Sequence, residues 1–174
     1  MSQQGIPSRT IPDPFRFAAD GRSLVGEVAV ADLLRLSDVL ASLEGALAWR
    51  LEGSMAQGAV GLEPRLRLVV EGELSLSCQR CLGGLSWGLK VDNVLQPVRP
   101  GQAIPEGELE DDEVDAIEVA AELDVLALVE DEILLALPIA PRHENCESPR
   151  NMAGSNKESP FAALASLRGS PSAK

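Results

Sequence analysis

Residues 64–98, PRLRLVVEGELSLSCQRCLGGLSWGLKVDNVLQPV, carry the strongest structural signal in the chain. Apolar and polar side chains alternate along residues 64–77 and again along residues 85–91, which is typical of strands buried on one face. Residues 78–84 separate the two stretches and contain two glycines, which permit the chain to reverse. The pattern predicts an antiparallel hairpin, and residues 46–54 (ALAWRLEGS) predict a further strand of the same meander.

Two segments outside the meander have helical spacing. Residues 30–43 (VADLLRLSDVLASL) repeat leucine every three or four positions and predict an amphipathic helix. Residues 124–138 predict a stronger helix that begins at the N-cap Asp124 and ends at Pro138. The acidic residues 130–132 are expected on the outer face of this second helix. The predicted fold class is therefore α+β: an antiparallel sheet (meander) with helices packed on one face.

The distribution of proline, glycine and charge predicts the domain organisation. Residues 1–22 contain three prolines and predict an irregular lead-in to a single α+β domain over residues 23–146. Within that domain, residues 99–114 predict a flexible acidic loop. Residues 147–174 predict a flexible tail, with a short terminal helix at about 160–168.

Charge is concentrated in one block of this 174-residue chain, whose net charge is −12. Residues 101–147 carry one Lys or Arg against fifteen Asp or Glu, a net charge of −14. Such a block disfavours a broad phosphate-binding surface, because like charges repel. The apolar runs are far shorter than the roughly 20 residues of a membrane span, and the N-terminus lacks a secretory pattern, so a cytoplasmic protein with no membrane partner is expected.

Two short pairs of metal-binding residues are separated by a long interval. Cys78 and Cys81 lie at the predicted hairpin turn, and His143 and Cys146 follow the predicted second helix. Structural zinc prefers four sulfur or nitrogen ligands, often as one pair in a turn and a second pair elsewhere. The alternative is that the thiols are small turn residues and His143 a solvated loop residue. A redox pair is disfavoured, because that chemistry needs the two cysteines at a helix N-terminus.

No enzymatic constellation is present in the sequence. The chain has one histidine, no tyrosine and no glycine-rich phosphate loop, so we expect no catalytic residues. The terminal segment SPFAALASLR instead places Phe161, Leu164 and Leu167 at helical spacing. This segment would either dock on its own domain or insert into the groove of a partner.

Four stretches together resemble the YceD family, the bacterial proteins of large-ribosomal-RNA accumulation. They are LSCQRCLGGL (76–85), LDVLALVEDEILLALPIAPRH (123–143), the cysteine just after it, and SPFAALASLR (159–168). The resemblance implies a bacterial, cytoplasmic, non-enzymatic role in the synthesis, processing or stability of 23S rRNA. It implies no catalytic residues and no established cofactor, and zinc remains a candidate from spacing alone.

The charge pattern limits how such a protein would act. A block of net charge −14 favours contact with basic ribosomal proteins or another large-subunit assembly factor on the pre-50S particle, with Asp111, Asp112 and Glu113 as candidate contacts. Arg65 and Arg67 are candidates for local contact with rRNA, which the sequence leaves open. The alternatives are a small zinc-ribbon-like binding module with a regulatory role, and an enzyme that uses the acidic loop.

Overall fold

A computed structural model describes residues 10–58, 61–102 and 114–147. Most of the predicted acidic loop and all of the predicted tail except residue 147 lie outside these residues. The elements follow in this order: β1 (Thr10–Ile11), α1 (Pro14–Ala19), β2 (Ser23–Ala29), two 3-10 turns (Val30–Asp32 and Leu34–Leu36), β3 (Leu40–Ser42), β4 (Ala46–Gln57), β5 (Leu62–Ser77), β6 (Gly84–Val98), β7 (Val114–Glu118), β8 (Leu123–Asp124) and α2 (Val125–Ala136).

The protein is predominantly β-sheet, and its main sheet is mixed. Strands β2, β4, β5, β6 and β7 are neighbours in that order, and β3 pairs with β5 beyond the end of β4. The predicted hairpin of β5 and β6 is confirmed, with Val70 opposite Val91. The predicted antiparallel sheet is correct in part: β4, β5 and β6 pair antiparallel, whereas β7 runs parallel to β6. Parallel neighbours need a long return connection, and residues 99–113 supply it.

The alternation of side chains along β5 separates a buried from an exposed face. Leu66, Leu68 and Val70 are fully buried, whereas Arg67 between them is exposed. The same side of the neighbouring strands contributes Leu47 and Leu51, which are also fully buried. The hydrophobic core therefore lies against one face of the sheet, as the period-two pattern indicates.

The prediction of a helix over residues 30–43 is wrong. This segment forms the two 3-10 turns and then β3, with Leu33 at φ −91° and ψ 80° between the turns. Leu33, Leu36 and Leu40 are nevertheless buried in the hydrophobic core. The second turn is stabilised from outside, because the Arg35 amide donates to Glu130 Oε1 at 2.6 Å. Tertiary contacts thus replace the hydrogen bonds of a regular helix.

The N-terminal lead-in is structured where it is described, contrary to the expectation of an irregular segment. In α1, Asp13 is the N-cap and accepts from the Arg16 amide at 2.9 Å. Phe17 and Ala18 are buried against β4, where Gly53 lies opposite them. A β-carbon at Gly53 would lie only 2.7 Å from the Ala18 Cα. Glycine therefore permits the helix to approach the sheet closely.

Helix α2 confirms the predicted N-cap but corrects the predicted outer face. Asp124 Oδ1 accepts from the amides of Leu126 and Ala127 at 2.9 and 3.1 Å. Glu130 and Glu132, expected to face solvent, are instead buried, and only Asp131 of the three is exposed. Glu130 is satisfied by the Arg35 amide, and Glu132 accepts from the Asn93 side chain.

Glu132 makes the stability of the fold pH-dependent. Burial raises the pKa of Glu132, and the charge of Asp115 acts in the same direction, while the hydrogen bond from Asn93 opposes them. The folded state therefore keeps the proton of the Glu132 carboxyl to a higher pH than the unfolded chain does. Stability falls as the pH rises above 4.5, the ordinary pKa of this group, because the buried carboxyl must then ionise.

We expect Glu132→Gln to unfold at a higher urea concentration than the wild type at pH 7. The amide keeps an acceptor for Asn93 and removes the buried charge. The difference should vanish below about pH 4, where a carboxyl at this position is protonated in both states. A variant less stable than the wild type at pH 7 would show that the charge itself stabilises the fold.

Candidate metal centre

The turn between β5 and β6, residues 78–83, is held by a network of backbone hydrogen bonds and is called the knuckle below. The Cys78 amide donates to the Gly83 carbonyl, and the Leu82 amide donates to the Cys78 carbonyl, both at 2.9 Å. Leu82 has a φ of 62°, a left-handed conformation that few non-glycine residues adopt. The Arg80 amide donates to Cys78 Sγ at 3.4 Å. The knuckle therefore directs backbone donors toward a cysteine sulfur.

Residues 138–147, called the ligand loop below, dock directly on the knuckle. The Gln79 amide donates to the Pro141 carbonyl at 2.8 Å, and the Arg80 side chain donates to the Cys146 carbonyl at 3.2 Å. Pro138 follows the last helical turn of α2, where a proline cannot continue the helix. These contacts bring Cys78 and Cys81 close to His143 and Cys146, which lie far away in the sequence.

The docking places the four candidate ligands in one cluster, called the Cys3His cluster below. The sulfur atoms of Cys78, Cys81 and Cys146 and a ring nitrogen of His143 all lie within 4.8 Å of one another. Cys78 Sγ lies 3.7 Å from Cys146 Sγ, and Cys81 Sγ lies 3.4 Å from His143 Nδ1. This cluster could hold a metal ion.

Two of the separations agree with tetrahedral zinc coordination. Zinc–sulfur and zinc–nitrogen bonds of about 2.3 and 2.05 Å give a sulfur–sulfur edge of about 3.8 Å and a sulfur–nitrogen edge of about 3.6 Å. The corresponding separations in the structure are 3.7 Å for Cys78 Sγ to Cys146 Sγ and 3.4 Å for Cys81 Sγ to His143 Nδ1. Thiolates with one imidazole are a ligand set that favours zinc over magnesium or calcium, which prefer oxygen.

Hydrogen bonds around the cluster fix the ligand orientation. His143 Nε2 lies 3.0 Å from the Gly84 carbonyl, which can only accept, so Nε2 carries the proton. In the neutral ring this leaves the Nδ1 lone pair directed toward Cys81. A metal-binding histidine commonly donates its second nitrogen in this way, which orients the ring and increases its basicity.

The environments of two of the cysteines differ in their effect on ionisation. The pKa of the Cys78 thiol is lowered to about 5. The backbone amide of Cys81 has the largest effect and the amide of Arg80 adds to it, whereas burial acts in the opposite direction. Burial raises the pKa of Cys146. The knuckle thus favours a thiolate at Cys78, which is the form that binds metal.

The other candidate site residues are separate from this cluster. Arg65 is buried and pairs with Glu63 at 3.2 Å, so it is poorly placed for contact with rRNA. Arg67 is exposed, but its guanidinium donates twice to Asp92 at 2.7 Å. The remaining candidates lie outside the described residues: Asp111, Asp112, Glu113, Phe161, Leu164 and Leu167.

Sequence reasoning missed the groups that support the cluster. The Arg80 guanidinium, the Pro141 carbonyl and the Gly84 carbonyl connect the knuckle to the ligand loop. Spacing could not reveal them, because all three contacts are made to backbone carbonyls, which any residue would supply. The position of Arg80 between the two cysteines was the single available signal.

Within the described ranges, no helix is long and apolar enough to cross a membrane.

Comparison with known proteins identifies a family that this chain matches. The family described as "Large ribosomal RNA subunit accumulation protein YceD" matches residues 66–168, a span that includes the whole Cys3His cluster. A curated protein of that name from Haemophilus influenzae is 28% identical over an alignment 177 positions long, which covers 90% of this chain and 93% of the relative. No solved structure matches significantly. The family match spans more than half of this chain, so the chain belongs to the YceD family.

Proposed function

We propose that this protein is a non-enzymatic factor in ribosome biogenesis that supports the accumulation of 23S rRNA during large-subunit assembly. Family membership over residues 66–168 carries this proposal. The relative from Haemophilus influenzae bears the family's name and aligns with 90% of this chain, which supports proposing the role for the chain as a whole.

The surface chemistry of the described residues supports a non-catalytic role. A depression of about 450 Å³ is lined by Lys90, Asp92 and Asp115, among others. The hydrogen bond from Arg67 lowers the pKa of Asp92, so this carboxylate is an ionised partner of Arg67 and is poorly suited to act as a general acid at neutral pH. The Cys3His cluster supplies four protein ligands, so a metal ion bound there would keep no open position for water or substrate.

We further propose that the Cys3His cluster binds one structural zinc ion. Four protein ligands complete a tetrahedral site, whereas a catalytic zinc site keeps one position for water or substrate. Bound zinc would supply a rigid crosslink between the knuckle and the ligand loop, and Gly84 and Arg80 would hold the ligands in place around it. The centre would therefore stabilise the fold at the end of the β5–β6 hairpin.

Protein contacts are the proposed mode of action. The described acidic residues of the 101–147 block include exposed Asp115 and Glu118 on the edge strand β7. Arg65 is buried and Arg67 is paired with Asp92, which leaves neither arginine available as an unpaired cation for RNA. Basic ribosomal proteins or an assembly factor on the pre-50S particle are the electrostatically complementary partners.

The alternative function is a small zinc-ribbon-like binding module with a regulatory role. The Cys3His cluster at a hairpin turn is the observation that favours it. The two functions differ in what happens to rRNA when the protein is absent, because a regulatory module of this kind has no necessary effect on 23S rRNA.

Depletion of the protein in its host, followed by sizing of total rRNA, tests the proposal. We expect 23S rRNA to fall relative to 16S rRNA, and the wild-type gene supplied in trans to restore the ratio. An unchanged ratio of 23S to 16S rRNA in depleted cells would contradict the proposed function.

A further inference from the structure

We propose that Cys78 and Cys146 form an oxidation site for hydroperoxides. At this site hydrogen peroxide converts two metal ligands into a disulfide that joins the same two segments of the chain. The proposal deepens the proposed function, since it rests on the Cys3His cluster and adds a redox reaction to its structural role.

The geometry favours this pair of cysteines. Their sulfur atoms lie 3.7 Å apart, and a disulfide bond of about 2.05 Å requires them to close by less than 2 Å. Hydrogen bonds already hold the knuckle and the ligand loop together, because the Gln79 amide donates to the Pro141 carbonyl and the Arg80 side chain donates to the Cys146 carbonyl. The third sulfur, of Cys81, is directed at His143 Nδ1 at 3.4 Å. Cys81 is therefore expected to remain a thiol.

Burial indicates which sulfur reacts first. Cys78 is fully buried, whereas Cys146 is only half-buried. The Cys146 sulfur, which would be a thiolate as a zinc ligand, attacks one peroxide oxygen, the O–O bond breaks, and the products are a sulfenic acid and hydroxide. Cys78 sulfur then attacks the sulfenic sulfur, the S–O bond breaks, and a second hydroxide leaves. The two sulfurs lose two electrons, and peroxide with two protons becomes two molecules of water.

The reaction exchanges one crosslink for another. A zinc ion would lose two of its four ligands, and Cys81 with His143 alone would not retain it. The disulfide would still hold the ligand loop on the knuckle, so the local fold would survive loss of the metal. A disulfide between Cys78 and Cys81 would instead lie wholly within the knuckle and leave the ligand loop with no covalent link to it, held by hydrogen bonds alone.

Tryptic mapping of the full chain distinguishes these outcomes, because cleavage after Arg80 separates the two knuckle cysteines. Cys78 falls in residues 68–80, Cys81 in residues 81–90 and Cys146 in residues 143–150. The purified, zinc-loaded protein is treated with hydrogen peroxide, released zinc is measured with a colorimetric chelator, and the peptides are mapped without reduction.

We expect peptide 68–80 to be linked to peptide 143–150, with one zinc released per chain and one free thiol, on peptide 81–90. The variant Cys81→Ser should form the same crosslink. A link between 68–80 and 81–90, intermolecular disulfides, or three intact thiols under excess peroxide would overturn the proposal. Protein purified without zinc would contradict the metal centre alone, because the peptide map can still be obtained from it.

Discussion

Replacing Cys78 with serine should abolish stoichiometric zinc binding and lower the free energy of unfolding by about 4 kcal/mol. That magnitude is the stabilisation that a ligand confers at about 1,000 times its dissociation constant. Cys78 is the fully buried ligand, and the amide of Arg80 donates to its sulfur. A serine hydroxyl is a poor zinc ligand at this position, so three ligands would remain in a site built for four. Zinc content and urea unfolding of the purified variant measure both effects.

The control for this variant is Gln79→Ala, in the same turn. Gln79 is exposed, and the contact with Pro141 uses its backbone amide, which alanine retains. We expect this variant to bind zinc normally and to unfold within about 0.5 kcal/mol of the wild type. If Cys78→Ser and Gln79→Ala had equal stabilities, the cluster would contribute nothing to the fold.

Replacing Gly53 with valine should destabilise the protein by about 3 kcal/mol or more. A β-carbon at this position would lie 2.7 Å from both the Ala18 Cα and the Phe17 carbonyl oxygen. Both are backbone atoms, so α1 as a whole would have to move away from β4. Phe17 and Ala18 are buried in that contact and would lose part of it. Thermal and urea unfolding measure the effect, and hydrogen exchange should locate it at α1.

The matched control is Gly88→Val, on β6 of the same sheet. A β-carbon at Gly88 would have no heavy atom within 4 Å among the non-neighbouring residues, and valine favours strands. We expect Gly88→Val to be neutral or slightly stabilising. Equal losses in the two variants would mean that valine disturbs the strands themselves, and that the close approach of α1 to Gly53 is unimportant.

Local signals predicted the parts of the fold that local interactions determine. The hairpin of β5 and β6 follows from period-two alternation and a glycine-containing turn, and the N-cap Asp124 follows from its position before an apolar helix. The segment 30–43 was misassigned, because its leucines fit helical spacing while the contact of Arg35 with Glu130 favours a different backbone. A tertiary contact of that kind has no signature in a local window.

Burial of charged side chains was the second source of error. The charge pattern predicted that Glu130 and Glu132 lie on the solvent-exposed face of a helix, yet both are buried. Glu130 accepts a hydrogen bond from the Arg35 amide, and Glu132 accepts one from the Asn93 side chain. The direction of β7 likewise depends on where a long connection returns, which composition does not specify. Burial of a charge depends on partners distant in sequence, so the charge pattern alone favoured exposure.

The sequence alone predicted which residues form the candidate site and that they occur as two short pairs. Spacing identified the pairs at 78–81 and 143–146, and the hairpin pattern placed the first pair at a turn. Their convergence was not predictable, because it depends on docking of the ligand loop through the bond between Gln79 and Pro141. The resemblance to the YceD family, confirmed over residues 66–168, came from longer stretches than these pairs.

X-ray absorption at the zinc edge of the purified protein tests whether the Cys3His cluster is a structural zinc site. We expect one zinc per chain, coordinated by three sulfur atoms at about 2.3 Å and one nitrogen at about 2.0 Å. Cys78, Cys81, Cys146 and His143 supply that set. Protein that contains no zinc after purification without chelators, or zinc in a shell of oxygen ligands, would contradict it.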